Sequence, residues 1–246
     1  MISDVADDVV ICGRVVDQER PGEPVRAHGL YIQYGCGLCA PESWMNFDAS
    51  PRLKLERLIG ARKLLKRTTG LVFPVNAKPG NIVTGLPVPD ECATAVFCSH
   101  VLEHLPRADV ALALQNTFRM LRPGGLFRLV VPDLQWRAAR YIRSAAAEDP
   151  TAADTFLEAC SLGRMATPKG WIAWISGCLG NSAHLWMSDF SALKMLLEKS
   201  GFVGVRRCEP GDYDDPRFAL VEDPSRFFDG GERELAMQAR RPEVSL

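Results

Sequence analysis

Two glycines separated by a single residue, Gly35 and Gly37, are followed eleven positions later by an acidic residue, Asp48. Glycine lets the backbone come close to a ligand, and a carboxylate at this position in an α/β sheet accepts hydrogen bonds from ribose hydroxyls. The pattern Gly35-x-Gly37-x-x-Ala40 fits a dinucleotide-binding loop, although this short motif alone is weak evidence. The spacing therefore predicts a loop that binds a ligand containing a ribose.

Polar residues also follow two later apolar segments. Ser99 and His100 follow one of them, and Asp133 follows the other. Histidine titrates near neutral pH and a carboxylate accepts protons, so His100, His184 and Asp133 are candidate catalytic bases. His104 lies close by, and we interpret it as a residue that packs at the start of a helix.

Cys36 and Cys39 form a CxxC pair, which is redox-active or half of a zinc site in some proteins. The chain has eight cysteines and four histidines, but no second CxxC or matching histidine pair that would complete four ligands with Cys36 and Cys39. Several other cysteines lie in apolar runs, as buried reduced thiols do, and they form no disulfide framework. We predict that no metal is bound and that the pair belongs to a loop with another purpose.

Strands and helices must alternate along the chain to position these residues. Strands are predicted at Leu30–Tyr34, Trp44–Asp48, Leu71–Val75, Asn81–Val83, Ala93–Ser99, Leu126–Val131, Phe202–Val205 and Glu234–Ala239. Helices are predicted from Ser50 to Gly70, from about Asp109 to Arg122, at Leu134–Ala147 and Thr151–Cys160, and from Ser188 to Gly201. This alternation is typical of an α/β fold with a doubly wound, mostly parallel sheet, in which ligands bind at the carboxyl ends of the strands.

The link between the first two predicted strands is short. Asp48 lies eleven residues beyond Gly37, where a dinucleotide-binding fold has about twenty, and Pro41–Trp44 leaves little room for a helix. A parallel pair is usually joined by a dozen residues or more. We therefore predict a loop, or at most one helical turn, in place of the first crossover helix, and this argues against NAD as the ligand.

The composition limits the kind of protein further. The chain of 246 residues has 29 basic and 30 acidic residues, a net charge of -1, which excludes a broadly basic nucleic-acid binder. No apolar stretch approaches the 18 residues of a membrane span, so no membrane contact is expected. The acidic N-terminus does not resemble a signal peptide, and we expect a cytoplasmic protein.

Five segments carry a resemblance to a known family. They are Tyr34-Gly35-Cys36-Gly37, Trp44-Met45-Asn46-Phe47-Asp48, Gly85-Leu86-Pro87-Val88-Pro89-Asp90, Cys98-Ser99-His100-Val101-Leu102-Glu103-His104-Leu105 and Leu121-Arg122-Pro123-Gly124-Gly125. In this order, from about residue 30 to residue 133, they resemble the class I S-adenosylmethionine-dependent methyltransferases. The resemblance implies a Rossmann-like sheet of seven strands, S-adenosyl-L-methionine as cofactor and S-adenosyl-L-homocysteine as product.

The resemblance also implies the residues that contact the cofactor. The glycines would pass beneath its methionine part, Asp48 would hold the ribose hydroxyls, and Asn81 would accept a hydrogen bond from the adenine amine. Ser99 and His100 would lie near the sulfonium. A simple capping role for Asp48 at the Ser50 helix is the alternative. The full predicted set is Tyr34, Gly35, Cys36, Gly37, Asp48, Asn81, Ile82, Ser99 and His100.

The sequence departs from the family pattern at Gln33, where many members have an acid, at Cys39 and at Asn81. These departures leave open a second interpretation, a catalytically degenerate methyltransferase fold that serves as a binding or scaffold protein. An NAD-dependent oxidoreductase is a third. Enzymes that methylate base or amide nitrogen carry an Asp/Asn-Pro-Pro-aromatic motif after the strand that corresponds to Ala93–Ser99. Here Ser99-His100 stands at that place, which argues against those reactions.

The chain divides into an N-terminal arm, residues 1–28, and a single domain, residues 29–246. More than fifty residues separate the strand Leu126–Val131 from the Asp189 helix, about twice what one crossover needs. We predict that residues 134–187 form a helical cap on the side of the methyl acceptor. Three tryptophans of the cap, Trp171, Trp174 and Trp186, either line the acceptor site or pack in the core.

Taken together, these features predict a methyltransferase that acts on a small molecule or on a glycan or metabolite precursor. Nucleic acid is disfavoured as the acceptor because the chain has no excess of positive charge.

Overall fold

The computed structural model describes residues 29–58, 62, 72–162, 184–224, 228–229 and 232–243. The predicted arm at 1–28 and the part of the cap with Trp171 and Trp174 lie outside these residues. The strands are β1 (Leu30–Tyr34), β2 (Met45–Asp48), β3 (Ala77–Pro79), β4 (Ala93–Ser99), β5 (Leu121–Pro132), β6 (Val203–Cys208), β7 (Phe228–Asp229) and β8 (Glu232–Arg240). The helices are α1 (Pro51–Glu56), α2 (Arg107–Met120), α3 (Leu134–Ala146), α4 (Ala152–Ala159) and α5 (Phe190–Lys199), with short 3-10 helices at Leu102–His104 and Pro216–Leu220.

Seven strands form one sheet in the order β3-β2-β1-β4-β5-β8-β6, and β7 pairs with β8 outside this order. The pairings from β3 to β5 are parallel, whereas β8 runs antiparallel to both β5 and β6. This architecture confirms the predicted α/β fold with a mostly parallel sheet. The strand order changes direction between β1 and β4, so their carboxyl ends form the crevice in which such sheets bind ligands.

Apolar side chains cover the sheet on both faces. On one face, Ile32 of β1 and Val96 of β4 pack against Leu114 of α2 and Leu197 of α5. On the other face, Phe97 of β4 packs with two large side chains, Trp44 from the loop before β2 and Phe218 from the 3-10 helix Pro216–Leu220. The central strand β4 is buried along almost its whole length, as expected for a parallel strand covered on both sides.

Two helices begin at aspartate residues that cap them. Asp133 comes directly after β5, and its Oδ1 accepts a hydrogen bond from the Trp136 amide at the start of α3, at 3.2 Å. Asp189 caps α5 in the same way, through the Ala192 amide at 2.8 Å. Such caps satisfy amide groups that have no partner within the helix.

Several predicted elements differ from the structure around the third strand. Residues 72–75 do not form a strand, and β3 lies instead at Ala77–Pro79. The predicted strand Asn81–Val83 is a turn, because the Asn81 side chain accepts a hydrogen bond from the Val83 amide at 2.9 Å and closes the chain on itself. Only six residues of the predicted helix from Ser50 to Gly70 form α1, and most of its later part lies outside the described residues.

Other boundaries agree closely with the predictions. Strands β1, β2 and β4 and helices α3, α4 and α5 lie where they were expected. The link between β1 and β2 consists of turns, as predicted. Strand β5 begins five residues earlier than expected, at Leu121, with a shift of register on β4. In the described part of the chain, no helix is long and apolar enough to cross a membrane.

A buried ion pair holds β5 to the segment before β7. Arg128 of β5 is fully buried and its guanidinium contacts the carboxylate of Glu222, which is also buried. The same guanidinium donates hydrogen bonds to the backbone oxygens of Asp212 at 2.6 Å and Glu209 at 3.1 Å. Each of the three guanidinium nitrogens of Arg128 therefore contacts a residue between 209 and 222, a segment that is distant in sequence.

We predict that Glu222→Ala lowers the free energy of unfolding by about 3–5 kcal/mol, because the substitution leaves the Arg128 charge buried without its partner. The measurement is urea denaturation followed by circular dichroism. Glu198→Ala is the control, since the ion pair of Glu198 with Lys194 is exposed and its loss costs about 0.5 kcal/mol or less. Equal losses in the two variants would contradict this assignment.

Candidate active site

The loop after β1 is built on a glycine that tolerates no side chain. Gly35 has a φ of +72°, and a Cβ atom added there would lie 2.2 Å from Cγ2 of Val101, which follows β4. Gly37 also has a positive φ, +52°, but, its two chain neighbours apart, no atom of a described residue lies within 4 Å of the place that its Cβ would take. Gly35 therefore brings the loop against the end of β4, and Gly37 leaves open space above it.

Asp48, at the end of β2, ties this loop to the start of α1. Its Oδ2 accepts a hydrogen bond from the Gly37 amide at 2.9 Å, and its Oδ1 accepts one from the Ser50 amide at 2.8 Å. The helix cap itself is Ser50, whose Oγ accepts a hydrogen bond from the Arg52 amide. Each carboxylate oxygen has a second lone pair, so Asp48 can still accept hydrogen bonds from a ligand.

A buried pair of amides holds the remainder of the loop, and the sequence analysis missed this role. Gln33 Nε2 donates hydrogen bonds to Asn46 Oδ1 at 2.6 Å and to the Cys39 backbone oxygen at 2.7 Å. Asn46 Nδ2 donates to the backbone oxygens of Pro41 at 2.9 Å and Trp44 at 2.8 Å. The amide at position 33 thus has a structural function that a carboxylate, which only accepts hydrogen bonds, would not serve.

The side chains of Tyr34 and Cys36 point into the protein interior. Tyr34 Oη lies 3.1 Å from Oγ1 of Thr117 on α2, and Cys36 packs beside Leu53. Burial raises the pKa of the Cys36 thiol to about 12, which makes it a poor nucleophile and a poor redox group. Contacts of these two residues with a ligand would have to come from their backbone.

The turn after β3 contains Asn81 and Ile82. Asn81 is exposed, and its Oδ1 accepts the hydrogen bond from Val83 described above. Ile82 is buried in the core, and its backbone oxygen accepts a hydrogen bond from Asn116 Nδ2 at 2.8 Å. This turn follows the carboxyl end of β3, two strands away from β1 in the sheet.

The end of β4 presents Ser99 and His100 next to the glycine loop. The backbone oxygen of Ser99 lies 3.4 Å from the position of a Cβ on Gly35, and the Ser99 Oγ is buried without a hydrogen-bond partner in the described residues. His100 has a positive φ of +52° and its amide donates to the Val130 backbone oxygen at 3.0 Å. A left-handed residue other than glycine is uncommon and often marks a functional position.

The three candidate bases have different surroundings. Both oxygens of Asp133 accept hydrogen bonds, one from the α3 amide and one from Arg207 Nη1 at 2.9 Å, so its geometry does not favour a role in proton transfer. His100 Nδ1 lies 3.2 Å from Glu103 Oε1. The His184 ring lies 5.1 Å from that of His104, and burial lowers the pKa of His184. The structure thus places the candidates His100 and His184 in one region, whereas Asp133 caps α3 and binds Arg207.

A cleft of about 290 Å³ adjoins this region. It lies between the ends of β4 and β5 and the starts of α2 and α5, and the Arg107 guanidinium covers the ring of Trp186 at 5.5 Å. Trp186 is about half exposed, so it does not serve as a core residue. The lining residues include Leu102, Glu103, Val131 and Leu193.

Comparison with known proteins finds similarity to methyltransferases. Residues 35–129 match the family model described as a methyltransferase domain. "Probable methyltransferase ltbC" of Aspergillus luteorubrus is 46% identical over 48 residues, which are 19% of this chain and only 17% of that protein. One similar solved structure is a chain of the complex between the Haloferax volcanii Trm112 methyltransferase activator and a methyltransferase, with a TM-score of 0.45, 15% identity and coverage of 91% of this chain and 86% of that one. Another is a methyltransferase from Thermotoga maritima, with a TM-score of 0.42, 13% identity and coverage of 88% of this chain and 84% of that one.

Strand order and domain match together confirm the resemblance to the class I S-adenosylmethionine-dependent methyltransferases. The match over residues 35–129 is to the methyltransferase domain, and it supports S-adenosyl-L-methionine as the cofactor, as the sequence predicts.

We predict that Gly35→Ala weakens binding of S-adenosylhomocysteine at least tenfold, because a Cβ on residue 35 displaces either the loop or Val101. Isothermal titration calorimetry measures the affinity. Gly211→Ala is the matched control, since Gly211 also has a positive φ, +76°, but has no atom within 4 Å of its Cβ position. An unchanged affinity in Gly35→Ala would show that the loop does not contact the cofactor.

Proposed function

We propose that this protein transfers the methyl group of S-adenosylmethionine to a small-molecule acceptor, such as a metabolite or a glycan precursor. The observation that carries the proposal is the meeting of the Gly35–Gly37 loop with the end of β4, next to the 290 Å³ cleft. A cofactor site and an acceptor site would then share the carboxyl edge of the sheet.

The described residues fit the cofactor. Asp48 would accept hydrogen bonds from the ribose hydroxyls, in addition to those from Gly37 and Ser50. The open space at Gly37 would take the methionine part. The buried hydroxyl of Ser99, which lacks a partner among the described residues, would gain one from the ligand.

The bound cofactor supplies an electrophilic methyl group on a sulfonium with a neutral leaving group. The protein therefore contributes chiefly by holding the acceptor atom close to the methyl carbon and in line with the bond that breaks. His100 and His184 remain the candidates for accepting a proton from the acceptor, because Asp133 is held by α3 and Arg207.

The lining of the cleft supports a small acceptor. Its mostly apolar walls carry one acidic and one basic side chain, Glu103 and Arg107, and small-molecule sites are typically apolar with a few polar groups that fix the orientation of the ligand. Trp186 adds an exposed aromatic surface. The net charge of -1 gives no support to nucleic acid as the acceptor.

Asp48→Ala should weaken binding of S-adenosylhomocysteine at least tenfold, since even one lost hydrogen bond to a charged group costs about 1.5–3 kcal/mol. Titration calorimetry on the folded variant checks this. Ser50→Ala is the control from the same segment. It removes the cap of α1, at a cost of about 1 kcal/mol in stability, but it removes no side chain that we assign to the ribose. A loss of less than threefold in Asp48→Ala would contradict the assigned role.

Turnover tests the second part of the proposal. We expect release of S-adenosylhomocysteine in the presence of members of a panel of small hydroxyl and amine acceptors, and an increase of the acceptor KM in Trp186→Ala with unchanged affinity for S-adenosylhomocysteine. The panel includes transfer RNA and a protein mixture. Turnover on these polymers alone would refute a small acceptor, and cofactor binding without turnover on any of them would favour the scaffold interpretation.

A further inference from the structure

Three of the four histidines of the chain meet around one buried glutamate. Glu103 Oε1 lies 3.2 Å from His100 Nδ1 and 3.9 Å from His104 Nε2, and the His104 and His184 rings are 5.1 Å apart. One possible ligand atom from each of Glu103, His104 and His184 lies within 4.8 Å of the other two. Histidine and carboxylate in such proximity are the donor types of a transition-metal site.

The carboxylate of Glu103 is buried, yet it lacks the hydrogen bonds that usually accompany burial. Its side chain is 2% exposed, and neither oxygen accepts a hydrogen bond from any described residue. His184 Nδ1 is buried as well, and no described residue forms a hydrogen bond with it. Burial of a charge without hydrogen bonds costs several kcal/mol, so this site favours a cation.

The other buried glutamates show how the protein usually compensates such a charge. Glu222 pairs with Arg128, and Glu234 pairs with Arg137 at 2.7 Å. Glu56 accepts hydrogen bonds from the Phe73 amide at 2.9 Å and from Arg52 at 3.2 Å. Around Glu103, imidazole rings occupy the place of the arginine, and a neutral imidazole nitrogen can bind a metal ion.

The backbone fixes the two segments that carry these side chains. Glu103 and His104 lie in the 3-10 helix Leu102–His104, and His184 directly precedes a segment that binds to it. The Glu103 backbone oxygen accepts hydrogen bonds from the amides of Leu185 at 2.8 Å and Trp186 at 3.2 Å. The three side chains are therefore held together by main-chain contacts and not only by their own interactions.

We propose that Glu103, His104 and His184 bind a divalent transition-metal ion, with His100 as a neighbouring fourth donor. Two or three imidazoles with one carboxylate suit zinc, cobalt, nickel or iron, whereas magnesium and calcium prefer sites made of oxygen ligands. Donor atoms around a tetrahedral ion lie about 3.3 Å apart, whereas these atoms lie within 4.8 Å of one another. Side-chain rotations that move each donor atom by about 1 Å therefore complete the site. The sequence analysis predicted no metal, because it considered only ligands that could join Cys36 and Cys39. It did not bring together His104 and His184, which are eighty positions apart.

Glu103 also lines the 290 Å³ cleft. The metal would therefore lie beside the space that we assign to the acceptor, and this placement rests on the proposed function. The metal site itself rests only on the four side chains and their burial.

Titration of the metal-free full-length protein with Co²⁺, followed by visible absorption, tests the proposal. We expect one equivalent to bind, with d–d bands and no thiolate charge-transfer band in the near ultraviolet, because no cysteine belongs to the cluster. Affinity should fall at least tenfold in Glu103→Gln and in His184→Asn. Glu158→Gln, at an exposed position on α4, should bind like the unchanged protein.

Three results would overturn the site: no saturation up to about 1 mM Co²⁺, affinity retained in both variants, or a thiolate band that assigns the metal to cysteines. Circular dichroism establishes that each variant is folded, and His104→Asn replaces either one that is not. Titration of the same samples with S-adenosylhomocysteine separates the two proposals. Cofactor binding without cobalt binding refutes only the metal site, and cobalt binding without cofactor binding refutes only the proposed function.

Discussion

The short link between two parallel strands is the constraint on which the proposed cofactor site depends. Only residues 35–44 join β1 to β2, whereas a parallel pair usually needs a dozen or more. Two devices make the connection feasible. Gly35 adopts a positive φ against the end of β4, and the amides of Gln33 and Asn46 bind the backbone oxygens of the loop. Since Asp48 then binds the Gly37 amide, the loop and the acid hold each other in place.

This constraint changes the meaning of the departures from the family pattern. Gln33 and Cys39 suggested a degenerate fold, but Gln33 donates a hydrogen bond to the Cys39 backbone oxygen and so stabilises the loop. A carboxylate at position 33 would face the Cys39 backbone oxygen and the Asn46 Oδ1 without a proton to donate. The unusual residues are thus compatible with an intact glycine loop.

The sequence predicted those features that depend on local pattern. Alternating apolar and polar segments located most strands and helices, and the Gly35–Asp48 segment identified the loop. Contacts between residues that are distant in sequence could not be predicted from such patterns. The sequence pattern did not indicate that Arg207 binds Asp133 or that His184 approaches His104, because these residues are 74 and 80 positions apart. The third strand was misplaced because the prolines and the Asn81 turn around it leave only three residues to pair with β2.

The central claim is that the edge formed by the Gly35–Gly37 loop, Asp48 and Ser99 binds the cofactor. A crystal structure of the protein with S-adenosylhomocysteine tests it most directly. The account predicts the ribose hydroxyls within hydrogen-bond distance of Asp48 and the sulfur near the end of β4. Density for the ligand elsewhere on the protein, with Asp48 bound only to Gly37 and Ser50, would contradict it.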